Sequence, residues 1–385
     1  MRLGLIIYSS LDTVSGGYLY DRKLVEHLRA AGDEVEVISL PWRNYAAHLA
    51  QNFSAELQRH LAAARYDVLL QDELNHPSLF LLNRQLRPRV AYPFVAIVHH
   101  LRCSEHRPAW QNALYRHVER AYLRSVDGFV FNSETTREAV SALTPHPGAA
   151  RHPSPLSQRK EGLGMGGESV VKGIVAHPAA DHLAPALTPA QIEARATAAG
   201  PLRLLFIGNV IPRKGLHTLL AALAQLQGDW RLSVVGRLDV DPKYARHIRD
   251  WVEARRGASL QDRVSFLGRL DDAELRAQLE AHHLLAVPSS YEGFGIVYLE
   301  AMAFGLPVIA TTAGAAREII TPDVDGCIVP PEDPPALAAA IQPFIADRER
   351  LRTMSRAARA RYERHPTWAQ SMSRVREFLT SYARQ

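Results

Sequence analysis

Short apolar runs alternate with longer amphipathic stretches from the start of the chain. Leu3–Tyr8, Glu34–Leu40, Val68–Gln71, Phe94–His99, Gly128–Asn132 and Val170–Ala176 read as strands. Between them, Tyr18–Ala31 places Leu19, Leu24 and Leu28 on one side of a helix and stops at Gly32. Ser54–Ala64, Gln111–Ser125 and Glu134–Leu143 carry the same helical period. The alternation resumes at 202–208, a buried strand. Helix Leu216–Gln225, strand Trp230–Gly236, helix Tyr244–Arg256, strand Val264–Leu267 and a helix over Asp272–Ala281 follow. His283–Val287 and 305–311 supply two more apolar strands, and helices over 335–384 close the chain. Strand, helix, strand in this order predicts α/β architecture with doubly wound parallel sheets.

Two stretches break the pattern. In 145–168, four prolines precede the glycine run Gly162, Gly164, Gly166 and Gly167, which looks like a dinucleotide fingerprint. No strand precedes it and no amphipathic helix clearly follows, so it lacks the context that binding needs. Residues 179–200 read as a linker with about one helical turn. The resulting division is a first domain over 1–178, a linker over 179–200, a second domain over 201–365 and a final helix over 366–385. A chain of 385 residues is too long for one ordinary core, which agrees with two domains.

Composition narrows the class. The chain is 47% hydrophobic and 22% charged, as in a soluble globular protein. No apolar run is long enough to span a bilayer, and the chain opens on a strand pattern without a signal peptide. Cys103 and Cys327 form no disulfide or metal framework, so a reducing cytoplasm is expected. The net charge of +5 is spread over the chain. That excludes a nucleic-acid stripe and is compatible with docking on an anionic membrane surface.

Four clusters carry chemistry. Tyr291-Glu292-Gly293-Phe294-Gly295 lies where a strand hands over to a helix, with Glu300 more than a turn further on. Free amides and the helix dipole face a ligand there, and two carboxylates accept hydrogen bonds from hydroxyls. Gly208-Asn209 ends another strand, and Arg213-Lys214 precede the next helix: two cations at a helix start suit a diphosphate. Ser15-Gly16-Gly17 lies between the first strand and first helix. His99-His100 ends a buried strand, on the side of an α/β sheet where ligands bind. Tyr18, Asp72, Glu73 and His76, with His100, are acceptor candidates at strand ends and loops. No third ligand at metal spacing accompanies the histidines.

The block Pro288 to Glu318 resembles the donor-site signature of family-4 retaining glycosyltransferases of GT-B fold. It does so through Pro288-Ser289, Glu292-Gly293-Phe294-Gly295, Leu299-Glu300-Ala301-Met302, 305–310 and Glu318. The resemblance covers nearly the whole chain. It implies two Rossmann-like domains facing each other across a cleft, with the final helix crossing back near Trp368. The implied activity is transfer of a hexosyl group from a nucleoside-diphosphate sugar, with UDP favoured, to a hydroxyl acceptor such as a lipid, glycan or small metabolite. The sugar nucleotide is a co-substrate; no cofactor or metal is implied. Glu292, Phe294 and Gly295 would face the sugar, Glu300 the ribose, and Lys214 the leaving diphosphate. Gly16 and Gly17 would line the cleft, His99 would lie beside the reacting centre, and Leu267 marks the segment around the base. The sequence departs from the family at Ala315, where a second glycine is common. It departs again at Asn209, where arginine is common and Arg213 offers the charge instead. A GT-B phosphorylase, a sugar-nucleotide epimerase and a non-catalytic sugar-nucleotide binder are the competing readings.

Overall fold

The computed structural model describes residues 1–105, 107–144, 172–254 and 260–383. Two six-stranded sheets form, parallel throughout. The first has the order β2-β1-β3-β4-β5-β6. Its strands are β1 (Arg2–Tyr8), β2 (Glu34–Leu40), β3 (Val68–Asp72), β4 (Phe94–Val98), β5 (Gly128–Phe131) and β6 (Gly173–Val175). The second has the order β12-β11-β10-β7-β8-β9. It comprises β7 (Leu202–Ile207), β8 (Trp230–Val235), β9 (Val264–Gly268), β10 (Leu284–Ala286), β11 (Val308–Thr311) and β12 (Gly326–Val329). Central strands are buried on both faces, as helices covering a parallel sheet require: every residue of β3, β4 and β10 is buried.

The strand order reverses beside β1 in the first sheet and beside β7 in the second. Chains leaving β1 and β3, or β7 and β10, therefore diverge and open a crevice at the carboxyl ends. The residues singled out above lie at or near these ends.

The structure departs from the sequence reading in several places, helix Tyr45–Ala50 among them. The 179–200 stretch holds more than one turn: a short turn at Asp181–Leu183 and a helix over Pro189–Thr197, started by a Thr188–Gln191 capping box. Arg195 on that helix is buried, donating to the carbonyls of Leu279 (3.2 Å) and Gly305 (2.9 Å), so most of the stretch packs on the second sheet's domain. Helix His76–Leu86 was not expected, although Pro77 stands in its first turn, where the missing N–H costs nothing. Strand β12 was also not foreseen. The 145–168 loop and its glycine run lie outside the described residues.

Helix Trp368–Ala383 returns to the first domain and packs on helix Gly16–Ala30 through buried Met372, Val375 and Leu379. Arg376 grips Asp33 at 2.7 and 3.2 Å, and Tyr382 Oη donates to the Asp127 carbonyl at 2.9 Å. Among the described residues no helix is long and apolar enough to cross a membrane.

Candidate active site

The basic and acidic loops at the second switch point are locked together. Gly215 has φ +70°, and a Cβ there would lie 2.1 Å from the Pro288 carbonyl oxygen, so only glycine lets the two loops approach. Across this contact Ser290 N donates to Arg213 O at 2.8 Å, and Arg213 Nη1 donates to Tyr291 O at 2.6 Å. Lys214 Nζ donates to Glu292 Oε1. Ser289 Oγ donates to the same oxygen at 2.7 Å, and Arg213 Nη1 stands 3.7 Å from it. Burial alone would raise the Glu292 pKa; Lys214 and Arg213 outweigh it and hold it down at about 2. Burial pushes the Lys214 ammonium the other way, below its ordinary value, and Glu292 opposes that shift.

Beyond Gly295, helix Ile296–Ala303 begins, and Glu300 sits on its second turn, buried, 3.5 Å from His182 Nε2. The Phe294 ring turns toward His177 and His365, at 5.6 and 6.0 Å. Gly208 and Asn209 are half-buried at the end of β7. Leu267 is exposed on β9, whose end borders a surface depression lined by Arg237, Leu238, Asp239 and Arg269.

The first domain meets this site directly. A Cβ on Gly293 would lie 2.2 Å from the His99 carbonyl oxygen, so the acidic loop seats against the end of β4 only because it carries no side chain. Ser133 Oγ donates to the Gly293 carbonyl at 2.8 Å, and Asn132 Nδ2 to the His99 carbonyl at 2.7 Å. Ser15 caps helix Gly16–Ala30, and its first glycines face the second domain and His99. A Cβ on Gly16 would lie 3.3 Å from Ile296 Cδ1, and one on Gly17 3.0 Å from the His99 ring. The starts of two helices, at Gly16 and Ile296, thus lie side by side, and each helix N-terminus favours an anion. Glu318 closes the contact further along. It accepts from Glu134 N (2.9 Å), Thr135 N (2.7 Å) and Thr135 Oγ1 (2.6 Å) across the domains.

His99 Nε2 lies 3.2 Å from Asp21 Oδ1, in a buried setting. Burial would lower its pKa, but Asp21, helped by Asp72 and Glu73, raises it to about 9. A ring that Asp21 holds to its proton does not suit a general base. The acceptor candidates are placed differently from one another. Tyr18, Asp72, Glu73 and His76 are all buried. Tyr18 Oη donates to Tyr8 O, Asp72 accepts from Leu74 N, and His76 Nδ1 lies 3.0 Å from Glu73 O. Burial pushes the Asp72 and Glu73 carboxyls up to about 8 and His76 down to about 4. His100 is only half-buried, paired with Glu105 at 3.1 Å. Cys103 is packed beside Glu119; burial raises its thiol pKa to about 12, so it is no nucleophile near neutrality.

Tertiary structure also assembles what spacing did not show. Asp21, Asp72 and His99 bring potential ligand atoms within 4.8 Å of one another, and Glu73, His76 and Glu119 do the same. Asp21 was missed as His99's partner, although it stands four residues past Gly17 on the same helix face. Ser289 was quoted within the donor-site block but not as a partner of Glu292, and His182 was missed: its imidazole carries no signal until the fold brings it to a carboxylate.

Two facing parallel sheets, with a cationic and an acidic loop at one switch point and a glycine-led helix opposite, define the GT-B class of glycosyltransferase. Residues 189–361 match the family described as "Glycosyl transferases group 1", and residues 20–152 match "Glycosyl transferase 4-like domain". Over 374 residues the chain is 28% identical to phosphatidyl-myo-inositol mannosyltransferase of Mycolicibacterium smegmatis, covering 90% of this chain and 85% of that one. Its fold is similar to that of sucrose-phosphate synthase from Thermosynechococcus elongatus (TM-score 0.79, 24% identity, all of both chains). It is also similar to Anabaena HepE in complex with UDP-glucose (TM-score 0.73, 19% identity, 99% of this chain and 100% of that one). The chain belongs to the family-4 glycosyltransferases of GT-B fold and uses a nucleotide-sugar donor.

Proposed function

We propose that the enzyme moves a hexosyl group from a UDP-sugar to a hydroxyl acceptor with retention of configuration and without a metal. The observation that carries this reading is the convergence of Lys214, Arg213 and Ser289 on Glu292, within a loop seated against His99 of the other domain. In the transition state the C1–O bond to the diphosphate lengthens, charge gathers on the leaving oxygen, and the sugar becomes oxocarbenium-like. Lys214, Arg213 and the helix starts at Gly16 and Ile296 meet the leaving charge. Glu292 orients sugar hydroxyls and Glu300 the ribose. With no nucleophile assigned beside the sugar, the acceptor hydroxyl attacks from the face the diphosphate leaves, and its proton passes to the departing oxygen.

The first domain holds the acceptor, a lipid, glycan or small metabolite. The reading places the enzyme in the cytoplasm, with its first domain against the anionic inner face of the membrane. Exposed Trp42, Phe53 and Trp110 on that domain, with the basic pI of about 9.2, support such a contact.

A thermal-shift titration with UDP, GDP and ADP, wild type beside Lys214→Ala, tests the donor assignment. A shift with UDP alone, weakened in the variant, supports it; a shift with GDP alone reassigns the base. No shift with any of the three removes the donor-site reading. Product stereochemistry by NMR tests the rest, since an inverted anomeric centre contradicts same-face attack.

A further inference from the structure

Glu300 is a buried carboxylate that needs a defined orientation to hold two ribose hydroxyls. Its imidazole neighbour comes from outside the donor loops. His182, in the turn Asp181–Leu183 of the segment joining the two sheets, places Nε2 3.5 Å from Glu300 Oε1. The other ring nitrogen, Nδ1, lies 3.4 Å from Trp368 Nε1, at the start of the helix that crosses back to the first domain. An indole N–H only donates, so Nδ1 is the acceptor and the neutral ring carries its hydrogen on Nε2, toward Glu300. Trp368 is itself held: its backbone N–H donates to Asp181 Oδ1 at 2.9 Å.

The indole also faces the opposite domain. Its ring packs edge-on against Tyr20 at 5.8 Å, and Tyr20 packs edge-on against His99 at 5.3 Å. Tyr20 Oη is tied to the Ala176 carbonyl at 3.0 Å, just ahead of the joining segment. One tryptophan thus touches the neighbour of the ribose carboxylate on one side and the neighbour of His99 on the other.

We infer that His182 is a positioning residue for nucleotide recognition: held by Trp368, it donates to Glu300 and sets that carboxylate for the ribose hydroxyls. This rests on the reading of Glu300 as the ribose ligand. Closed from 3.5 Å to hydrogen-bond length, one N–H on Oε1 fixes the carboxylate plane and leaves Oε2 and a lone pair of Oε1 for the two hydroxyls. Because the residue that holds His182 opens the crossing helix, ribose binding is joined to the place where the chain passes between domains.

The test compares the affinity of each protein for UDP and for 2′,3′-dideoxy-UDP, with the guanosine pair in parallel. Wild type should prefer the ribonucleotide by about tenfold or more, the worth of hydrogen bonds to a charged group. Glu300→Ala should lose that preference. His182→Leu should also bring the ratio close to one, and His182→Gln, whose amide N–H stands in for Nε2–H, should restore most of it. A structural defect lowers both affinities together and leaves the ratio alone, and melting temperatures show which variants are folded. A wild-type ratio retained in folded His182→Leu overturns the role of His182 and leaves the ribose reading standing. A wild type that does not distinguish the two nucleotides overturns the ribose reading, and the inference with it.

Discussion

Lys214→Met separates the two duties of the ion pair at the donor site. The substitution keeps the buried stem and removes the ammonium that donates to Glu292. Lys214 and Arg213 hold the Glu292 pKa at about 2, against an ordinary 4.5, which is roughly 3 kcal/mol of preference for the charged form in the fold. Ser289 at 2.7 Å and Arg213 at 3.7 Å remain, so the loss at pH 7 should be roughly 2–3 kcal/mol, below the full cost of orphaning a buried charge. For a domain of this size that is roughly 4–12 °C in melting temperature. The sign of the pH effect follows from the depressed pKa. The stabilisation is present above pH 4.5 and is lost as pH falls toward about 2. Lys214→Met, lacking most of it, should lose less stability than wild type across that window. Turnover should fall about 10²- to 10³-fold, as when one preorganised donor to a leaving oxyanion is removed. Adding Glu292→Gln should recover melting temperature, because no uncompensated charge remains, without recovering turnover. Calorimetry at pH 7 and pH 3 with a coupled nucleotide-release assay reads all of this. A single variant melting within about 1 °C of wild type at pH 7 would refute the argument that Lys214 holds Glu292 in its buried, charged state.

Gly293→Ala should leave nucleotide binding to the isolated second-domain loops in place but cut turnover at least about tenfold. Its Cβ would meet the His99 carbonyl 2.2 Å away and push the loop off the first domain, and millimolar excess of donor should not rescue it. Glu318→Gln removes a charged acceptor of three hydrogen bonds across the domains. The ligand-free enzyme should become more extended in small-angle scattering and the donor KM should rise several-fold; an unchanged radius of gyration counts against the latch. Asp21→Asn removes the group that raises the His99 pKa. In wild type that pair contributes stability fully present below pH 6.5 and lost as pH rises through about 9, so the variant's melting temperature should change less than wild type's over that range.

The legible part of this protein is the part written in local periodicity and local chemistry. Apolar runs marked eleven of the twelve strands to within a few residues, because a strand buried on both faces needs a continuous apolar segment. β12 escaped because Gly326-Cys327-Ile328-Val329 is only four residues long and is followed by Pro330 and Pro331. The Pro189–Thr197 helix escaped because its apolar content is mostly alanine, and its membership of the second domain rests on Arg195 reaching two distant carbonyls. At the site, Glu292, Lys214 and the glycines could be singled out from their loops, since turn geometry and charge at a helix start act over a few residues. That Lys214 grips Glu292, that Gly293 sits on His99, and that Asp21 raises that histidine are facts between residues at least 78 positions apart, and for Gly293 and His99 between domains. The same distance hid His182, an ordinary residue of a linker until folding set it between Trp368 and Glu300. By itself the sequence determined which segments become strands, where the phosphate-facing loops lie and what charges they carry. Only the tertiary structure decided which charges meet, because burial and pairing depend on what the rest of the fold excludes from water.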